Sequence, residues 1–366
     1  MRILHVVGDI KIESGISSFL MNMYRNIDRK NIQFDFLVCN YKEESYEAEI
    51  KELGGRIYYC GNLLSIKSHL KSYKRMREFF RCNALNYSAI HLHAPTLGVF
   101  ALKMAKRFGI KNRIIHSHSS MTSSNFIKRV INNVLKKSGV RFANYFCSCS
   151  DLASAFLFGK NTKKKVTIIP NAVDAHRYYF NQRERLKIRE RHGIVDKTVI
   201  CHVSNYSKIK NVHFLIDVLK RITDISKNYC FLFIGDGMCL NSFKQDIADN
   251  CLDEYCYFVG RTLEVNNYLS ASDLLVLPSL KEGLPVTVIE AQASGMPCLV
   301  SDTITQECNL GLVRFLPLNT FTWSGYLHDF QKIDDSCRAS FSKKFEDSKF
   351  NIKTAARFLE NYYCKL

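Results

Sequence analysis

The chain has 366 residues, 46% of them hydrophobic and 23% charged, with 17 Gly and only 6 Pro, so it is long enough for two cores and too apolar to be disordered or collagen-like. Its net charge of +18 is lopsided: residues 1–170 carry +17 and residues 171–366 carry +1, which points to an anionic partner for the first half. Fourteen Cys, such as Cys39, Cys147, Cys201, Cys230 and Cys298, sit in apolar segments and read as buried thiols in a reducing cytoplasm, with no structural metal.

Short apolar runs follow one another at spacings that leave room for a helix. Strands are predicted at 2–7, 34–39, 89–94, 113–117, 145–148 and 166–169, then at 199–203, 229–234, 256–259, 274–277, 297–300 and 313–316. Helical patterns such as 16–27, 212–223 and 286–294 lie between them. This alternation predicts an α/β chain of two doubly wound, Rossmann-like domains. The first domain is expected at 1–172 and the second at 173–345, with a charged connector at 178–197 and a C-terminal helix at 346–366 that crosses back to the first. Ligands of open parallel sheets sit beyond the carboxyl ends of the strands, at helix N-termini, so the expected site is a cleft faced by both domains.

Two basic segments stand out in the first half. In 66–81, apolar Ile66, Leu70, Tyr73, Met76 and Phe80 fall on one helical stripe, with Lys67, Lys71, Lys74, Arg75 and Arg81 beside or opposite it. Segment 125–142, with Lys128, Arg129, Lys136 and Lys137, repeats the character. Either helix can dock on a sheet and still rest its basic flank on anionic lipid, at roughly 1 kcal/mol per basic residue. No run of about 18 apolar residues occurs, and the opening apolar stretch falls short of a secretory core of about 7–15 residues, so the chain is expected to stay inside the cell. No nucleic-acid reader motif is present, and nucleic acid is not an expected partner.

The last third carries the most specific pattern. Residues 278–302 read PSLKEGLPVTVIEAQASGMPCLVSD: a strand ending at Leu277, a loop with Glu282, Gly283 and Leu284, and a helix opening at Pro285 and Val286. Unpaired backbone N–H groups at such a helix start suit an anion. Glu290, about a turn and a half into that helix, can accept two hydrogen bonds from a diol such as a ribose. Gly295 ends the helix before the next strand.

Glu282 and Glu290 with this surrounding sequence resemble the Glu-x7-Glu signature of glycosyltransferase family 4, the retaining enzymes of GT-B fold. Leu4–Val7 followed by Ser14–Ser18 resembles the family's first strand and glycine-rich loop, Ile114–Ser119 the strand end that places a histidine, aligned as His118 with His116 its neighbour, near the transferred sugar, Val166–Asp174 the interdomain segment, and Phe233–Gly237 its glycine turn. The resemblance implies catalytic roles for Glu282, His118 and Lys210. It further implies donor binding by Gly15, Asn205, Lys210, Gly283, Leu284, Pro285, Val286 and Glu290, with the acceptor or a membrane meeting Lys67, Lys71, Lys74, Arg75, Lys128 and Arg129. One departure is clear: the family's Arg in the loop after the first C-domain strand is Asn205, which can donate a hydrogen bond but brings no charge; Lys208 or Arg261 could supply one.

The resemblance therefore implies transfer of a sugar from a nucleotide sugar, UDP-linked by expectation, to a lipid-diphosphate-linked polysaccharide intermediate, with retained anomeric configuration. The chain would act in capsule or exopolysaccharide synthesis on the inner face of the cell membrane. No metal and no cofactor are expected, because leaving-group charge is met by Lys210 and helix N-termini. Two alternatives stand beside this: a nucleotide-sugar epimerase of related architecture, and a non-catalytic subunit of a transferase pair.

Overall fold

The computed structural model describes residues 1–12, 14–65, 68–118 and 126–366, and the side chains of all of these except 126–129. Lys67 lies outside the described residues, and the side chains of Lys128 and Arg129 outside the described side chains. The chain divides into two compact units, Met1–Ala172 with Ile352–Leu366, and Val173–Asn351.

The first unit is built on seven parallel strands, β1 (Arg2–Val7), β2 (Gln33–Val38), β3 (Ile57–Tyr59), β4 (Ala89–Leu92), β5 (Asn112–Ser117), β6 (Tyr145–Ser148) and β7 (Val166–Ile168), in the order β3-β2-β1-β4-β5-β6-β7. Six strands were expected; β3 is the addition. It spans three half-buried residues at the sheet edge and pairs only with β2, so it lacks the long apolar run by which central parallel strands are recognised. One sheet face packs Ile3, Val7, Phe34, Phe36 and Ile114 against helices Gly15–Asn26 and Ile352–Cys364. The C-terminal helix buries Ile352, Ala355, Ala356, Leu359 and Tyr363 in this core.

Helix His69–Asn83 buries Met76 and Phe80 of the expected stripe, but its inward face is rotated from Leu70 and Tyr73 toward Ser72 and Phe79. It buries Ser72, Met76, Phe79 and Phe80, while Leu70 is 75% exposed and Tyr73 is also exposed. Positions 72, 76, 79 and 80 form an equally regular helical stripe, masked in the sequence by a serine. Ser72 fits because it packs on Gly61, where an added Cβ would stand 2.6 Å from its Oγ. The second basic helix runs Phe126–Val140 and exposes Val130, Ile131 and Val134.

The second unit carries six parallel strands, β8 (Thr198–Ser204), β9 (Tyr229–Gly235), β10 (Cys256–Gly260), β11 (Leu274–Leu277), β12 (Cys298–Ser301) and β13 (Val313–Leu316), in the order β10-β9-β8-β11-β12-β13. The expected connector at 178–197 is part of this unit. Its helix Gln182–Arg191 directs Arg185 and Arg189 onto the two carboxylate oxygens of buried Asp273, at 2.6 and 2.7 Å. Burial alone would raise the Asp273 carboxyl; the two arginines outweigh it and hold the group below its ordinary value. A run of charge that reads as solvated linker is thus partly an internal clamp.

No disulfide joins the fourteen cysteines. Among the described residues no helix is long and apolar enough to cross a membrane.

Candidate functional site

In each sheet the strand order reverses once, between β1 and β4 in the first unit and between β8 and β11 in the second. Loops leaving these adjacent strands diverge to opposite faces and open a crevice at their carboxyl ends, where ligands of such sheets bind. The catalytic and donor-binding residues expected from the sequence lie at these strand ends, whereas Lys71, Lys74 and Arg75 lie apart from them on helix His69–Asn83.

In the second unit, β8 leads into Asn205–Lys210 and β11 into Pro278–Pro285. The loops are tied together: Leu280 donates its N–H to the Ile209 carbonyl at 2.8 Å, and Asn211, in the left-handed region, donates its side-chain amide to the Pro278 carbonyl at 3.2 Å. This brings Lys210 Nζ within 2.6 Å of Glu282 Oε1, with the two side chains only 17% and 15% exposed. The expected cation and the expected sugar-binding carboxylate thus form one ion pair, which presets both before any ligand arrives. Glu282 sits on the loop that enters helix Val286–Ala293, with Pro285 at the N-cap rather than inside the first turn, and Lys210 reaches it from the loop after β8.

Glu290 lies one turn into that helix. Its Oε1 accepts a 2.7 Å hydrogen bond from Tyr178 Oη, which leaves Oε2 for a further donor. Burial raises the Glu290 carboxyl above its ordinary value, while Tyr178 and Arg177 pull it back. Tyr178 ends a short helix capped by Asp174, whose Oδ1 accepts from the His176 N–H at 3.0 Å. Tyr178 was not picked out from the sequence; no local pattern links it to a residue 112 positions away.

Asn205 is exposed, and its Oδ1 accepts from Ser207 Oγ at 3.0 Å. The Gly-Asp-Gly turn after β9 presses on its backbone: a Cβ on Gly235 would lie 1.9 Å from the Ser204 carbonyl oxygen, and one on Gly237 1.8 Å from that of Asn205. Both glycines have positive φ, so this turn needs glycine on two counts. Lys208 is exposed on the same loop as Asn205, whereas Arg261 follows β10, two strands away at the sheet edge.

In the first unit a cavity of 270 Å³ opens at the carboxyl ends of β1, β4 and β5, with Asp9, Ser14, His93, His118, Lys136 and Phe156 among its walls. Gly15 begins helix Gly15–Asn26, and the space where its Cβ would stand is open. Lys136 was expected as a solvated flank residue. It instead reaches the cavity with its ammonium 4.3 Å from the Phe156 ring centre, and burial lowers its pKa.

Five histidines gather at this cavity and behind it, of which the sequence points to His116 and His118. His5, His91 and His116 lie within β1, β4 and β5, while His93 and His118 follow β4 and β5 directly. His5 pairs in register with His91, and positions two apart on a strand share a face, so the rings collect on one side of the sheet. His5 Nδ1 lies 2.9 Å from His93 Nε2, and His93 Nδ1 lies 2.7 Å from His118 Nε2. His91 bridges His116 (3.1 Å) and Tyr363 Oη (2.6 Å). Burial lowers all five, His5 and His118 to about 3, and the neighbouring imidazoles push His91, His93 and His116 down further. The cluster is therefore neutral. The repeated His-x-His at two successive strand ends was the available signal.

Residues 14–177 match the model of Glycosyltransferase Family 4, and residues 184–308 that of Glycosyl transferases group 1. EpsF of Bacillus subtilis (strain 168), described as a glycosyltransferase, is 30% identical over 325 residues, covering 87% of this chain and 84% of EpsF. An Escherichia coli UDP-Gal:alpha-D-GlcNAc-diphosphoundecaprenol alpha-1,3-galactosyltransferase is 24% identical over 326 residues, covering 84% of this chain and 80% of that enzyme. Among solved structures, Anabaena HepE in complex with UDP superposes with a TM-score of 0.81 at 16% identity, covering 100% of both chains. The fold, the motif loops and these matches agree: the chain belongs to glycosyltransferase family 4 and is a glycosyltransferase of GT-B fold.

Proposed function

We propose that this chain transfers a sugar from a nucleoside-diphosphate donor, UDP-linked, to a glycan carried on a membrane lipid diphosphate, with retained anomeric configuration, in exopolysaccharide or capsule synthesis. The observation that carries the proposal is the Lys210–Glu282 pair at the mouth of helix Val286–Ala293, with Glu290 one turn behind it. Breaking the donor's glycosidic bond leaves negative charge on the departing diphosphate. Lys210 and the free N–H groups of the helix start are fixed where that charge develops, so they stabilise the transition state without reorganising. Glu282 holds sugar hydroxyls, and the free Oε2 of Glu290 accepts from the ribose. His118 and Lys136 at the first unit's cavity supply contacts to the transferred sugar and the acceptor. The reaction needs no metal or cofactor in this reading.

The donor nucleotide is supported by HepE, solved with UDP, and the acceptor class by the Escherichia coli enzyme, whose name specifies a diphosphoundecaprenol substrate. Transfer of label from a panel of UDP-sugars to undecaprenyl-diphosphate-linked acceptors tests the proposal. Label appears in the lipid fraction if it holds; absence of both transfer and nucleotide release across the panel overturns it.

A membrane-facing role for the first unit fits two helices that place apolar side chains outside the core. Leu70 and Tyr73 stand exposed among Lys71, Lys74 and Arg75, and Val130, Ile131 and Val134 line the second helix. Changing Lys71, Lys74 and Arg75 to Glu is expected to abolish flotation with phosphatidylglycerol vesicles at low salt and leave the far-UV spectrum intact. Unchanged flotation would remove this helix from the membrane contact.

A further inference from the structure

The hydrogen bonds among the histidines have a directional consequence. His93 uses both ring nitrogens, one toward His5 and one toward His118. A neutral imidazole has one donor and one acceptor, so if His93 accepts from one neighbour it must donate to the other. The three rings therefore share a single sense, and only two arrangements exist.

In one arrangement His5 ends the chain with an N–H on Nε2; in the other it ends with a bare acceptor there. That atom is fully buried and has no partner among the described residues. A buried N–H without an acceptor is the rarer and costlier defect, which selects the second arrangement. His5 then donates from Nδ1 to His93 Nε2, His93 donates from Nδ1 to His118 Nε2, and the proton of His118 rests on Nδ1. His118 alone of the three is partly exposed, and with His93 it lines the cavity; its Nδ1 is the end of the hydrogen-bonded chain.

We propose that His5 and His93 are positioning residues that hold His118 as a neutral ring protonated on Nδ1, so that at the cavity wall it donates a hydrogen bond to an oxygen of the bound sugar rather than accepting a proton there. This deepens the transferase reading of that cavity and rests on it. The surroundings favour it. Phe34 and Phe36 pack on His5, Phe19 packs on His93 and His118, and no described carboxylate bonds to any of the five imidazoles. His116 stacks on His118 with ring centres 3.9 Å apart and planes 21° from parallel, which fixes the ring plane. The nitrogens of His93, His116 and His118 lie within 4.8 Å of one another, close enough to consider a metal. The contacts of 2.7 and 2.9 Å along the chain are nevertheless hydrogen-bond lengths. They are shorter than the roughly 3.3 Å separating two nitrogens that each stand about 2.0–2.1 Å from a tetrahedral zinc.

The test is long-range imidazole 1H–15N correlation on the full, 15N-histidine-labelled chain at neutral pH, assigned with single-histidine variants. Nδ1-protonated patterns for His5, His93 and His118 are expected. An Nε2-protonated or averaging His118 overturns the proposal, as does a zinc-induced shift of His93, His116 and His118 to a metal-ligand pattern. In the transfer assay, His5→Leu is expected to lower kcat about tenfold, the worth of one buried hydrogen bond, with KM within about twofold. His5→Asn, whose amide can stand in for Nδ1–H, should restore most of the loss; an unchanged kcat in a folded His5→Leu overturns the proposal. If neither variant folds, the wild-type spectrum decides alone. Expected tautomers in a chain that transfers no sugar would leave the histidine arrangement standing and remove only the function it serves.

Discussion

Between pH 7.5 and pH 5 the first unit is expected to unfold while the second keeps its tertiary structure. His5 ionises near 3 in the folded unit against an ordinary value of 6.5. Between those values the unfolded chain binds the proton and the folded unit does not, so stability is fully present above about pH 6.5 and drains away as pH falls. At pH 5 the difference is about 1.5 pH units, or about 2 kcal/mol from His5 alone. His91, His93, His116 and His118 are depressed by the same burial and add in the same direction. An ordinary domain has only about 5–15 kcal/mol to lose, and all five imidazoles act against the folded first unit as the pH falls. Among described residues the second unit fully buries one histidine, His202, lowered to about 4. The single tryptophan, Trp323, is buried in the second unit, so its emission reports that unit alone, whereas far-UV circular dichroism reports both. Loss of ellipticity with a midpoint above pH 5, ahead of any change in Trp323 emission, is the expected result. Retention of full ellipticity down to pH 4 would mean that the cluster is hydrated or charged in the folded state.

Replacing Lys210 by Ala is expected to lower kcat by roughly 10²–10³, the usual effect of removing one preorganised group that meets developing negative charge. The fall should appear in kcat more than in KM, because the charge on the diphosphate grows as the bond breaks. Lys210→Arg, which keeps the cation but not its compact shape, should recover part of the rate. Glu282→Gln breaks the same ion pair but leaves the lysine charge in place, so a smaller loss, weighted toward KM, is expected. Near wild-type turnover in Lys210→Ala would show that another group neutralises the leaving diphosphate; Lys208, on the same loop, is the first place to look.

The sequence exposes what is written in consecutive residues. The long apolar runs of the central strands and the loop from Glu282 to Glu290 are legible because their residues act within a few positions of one another. The edge strand Ile57–Tyr59 is not, since a short, half-exposed strand has no run to show. Helix His69–Asn83 misleads because Leu70 and Tyr73 outrank Ser72 in hydrophobicity, while the fit of Ser72 against Gly61 decides the face. Tyr178 on Glu290, the two arginines on Asp273 and the five-histidine cluster depend on strand register and helix docking across many tens of residues. Individual residue types announced none of them, although the doubled His-x-His carried a hint that a strand reading could have followed.

Nucleotide binding to the second unit underlies the whole account, and titration calorimetry of UDP into the wild-type chain and into Glu290→Ala measures it most directly. The expected result is saturable one-site binding to wild type, weakened about 10–100-fold in the variant by loss of a charged hydrogen bond. No heat with UDP or any other nucleoside diphosphate, or equal affinity in the two proteins, would contradict it.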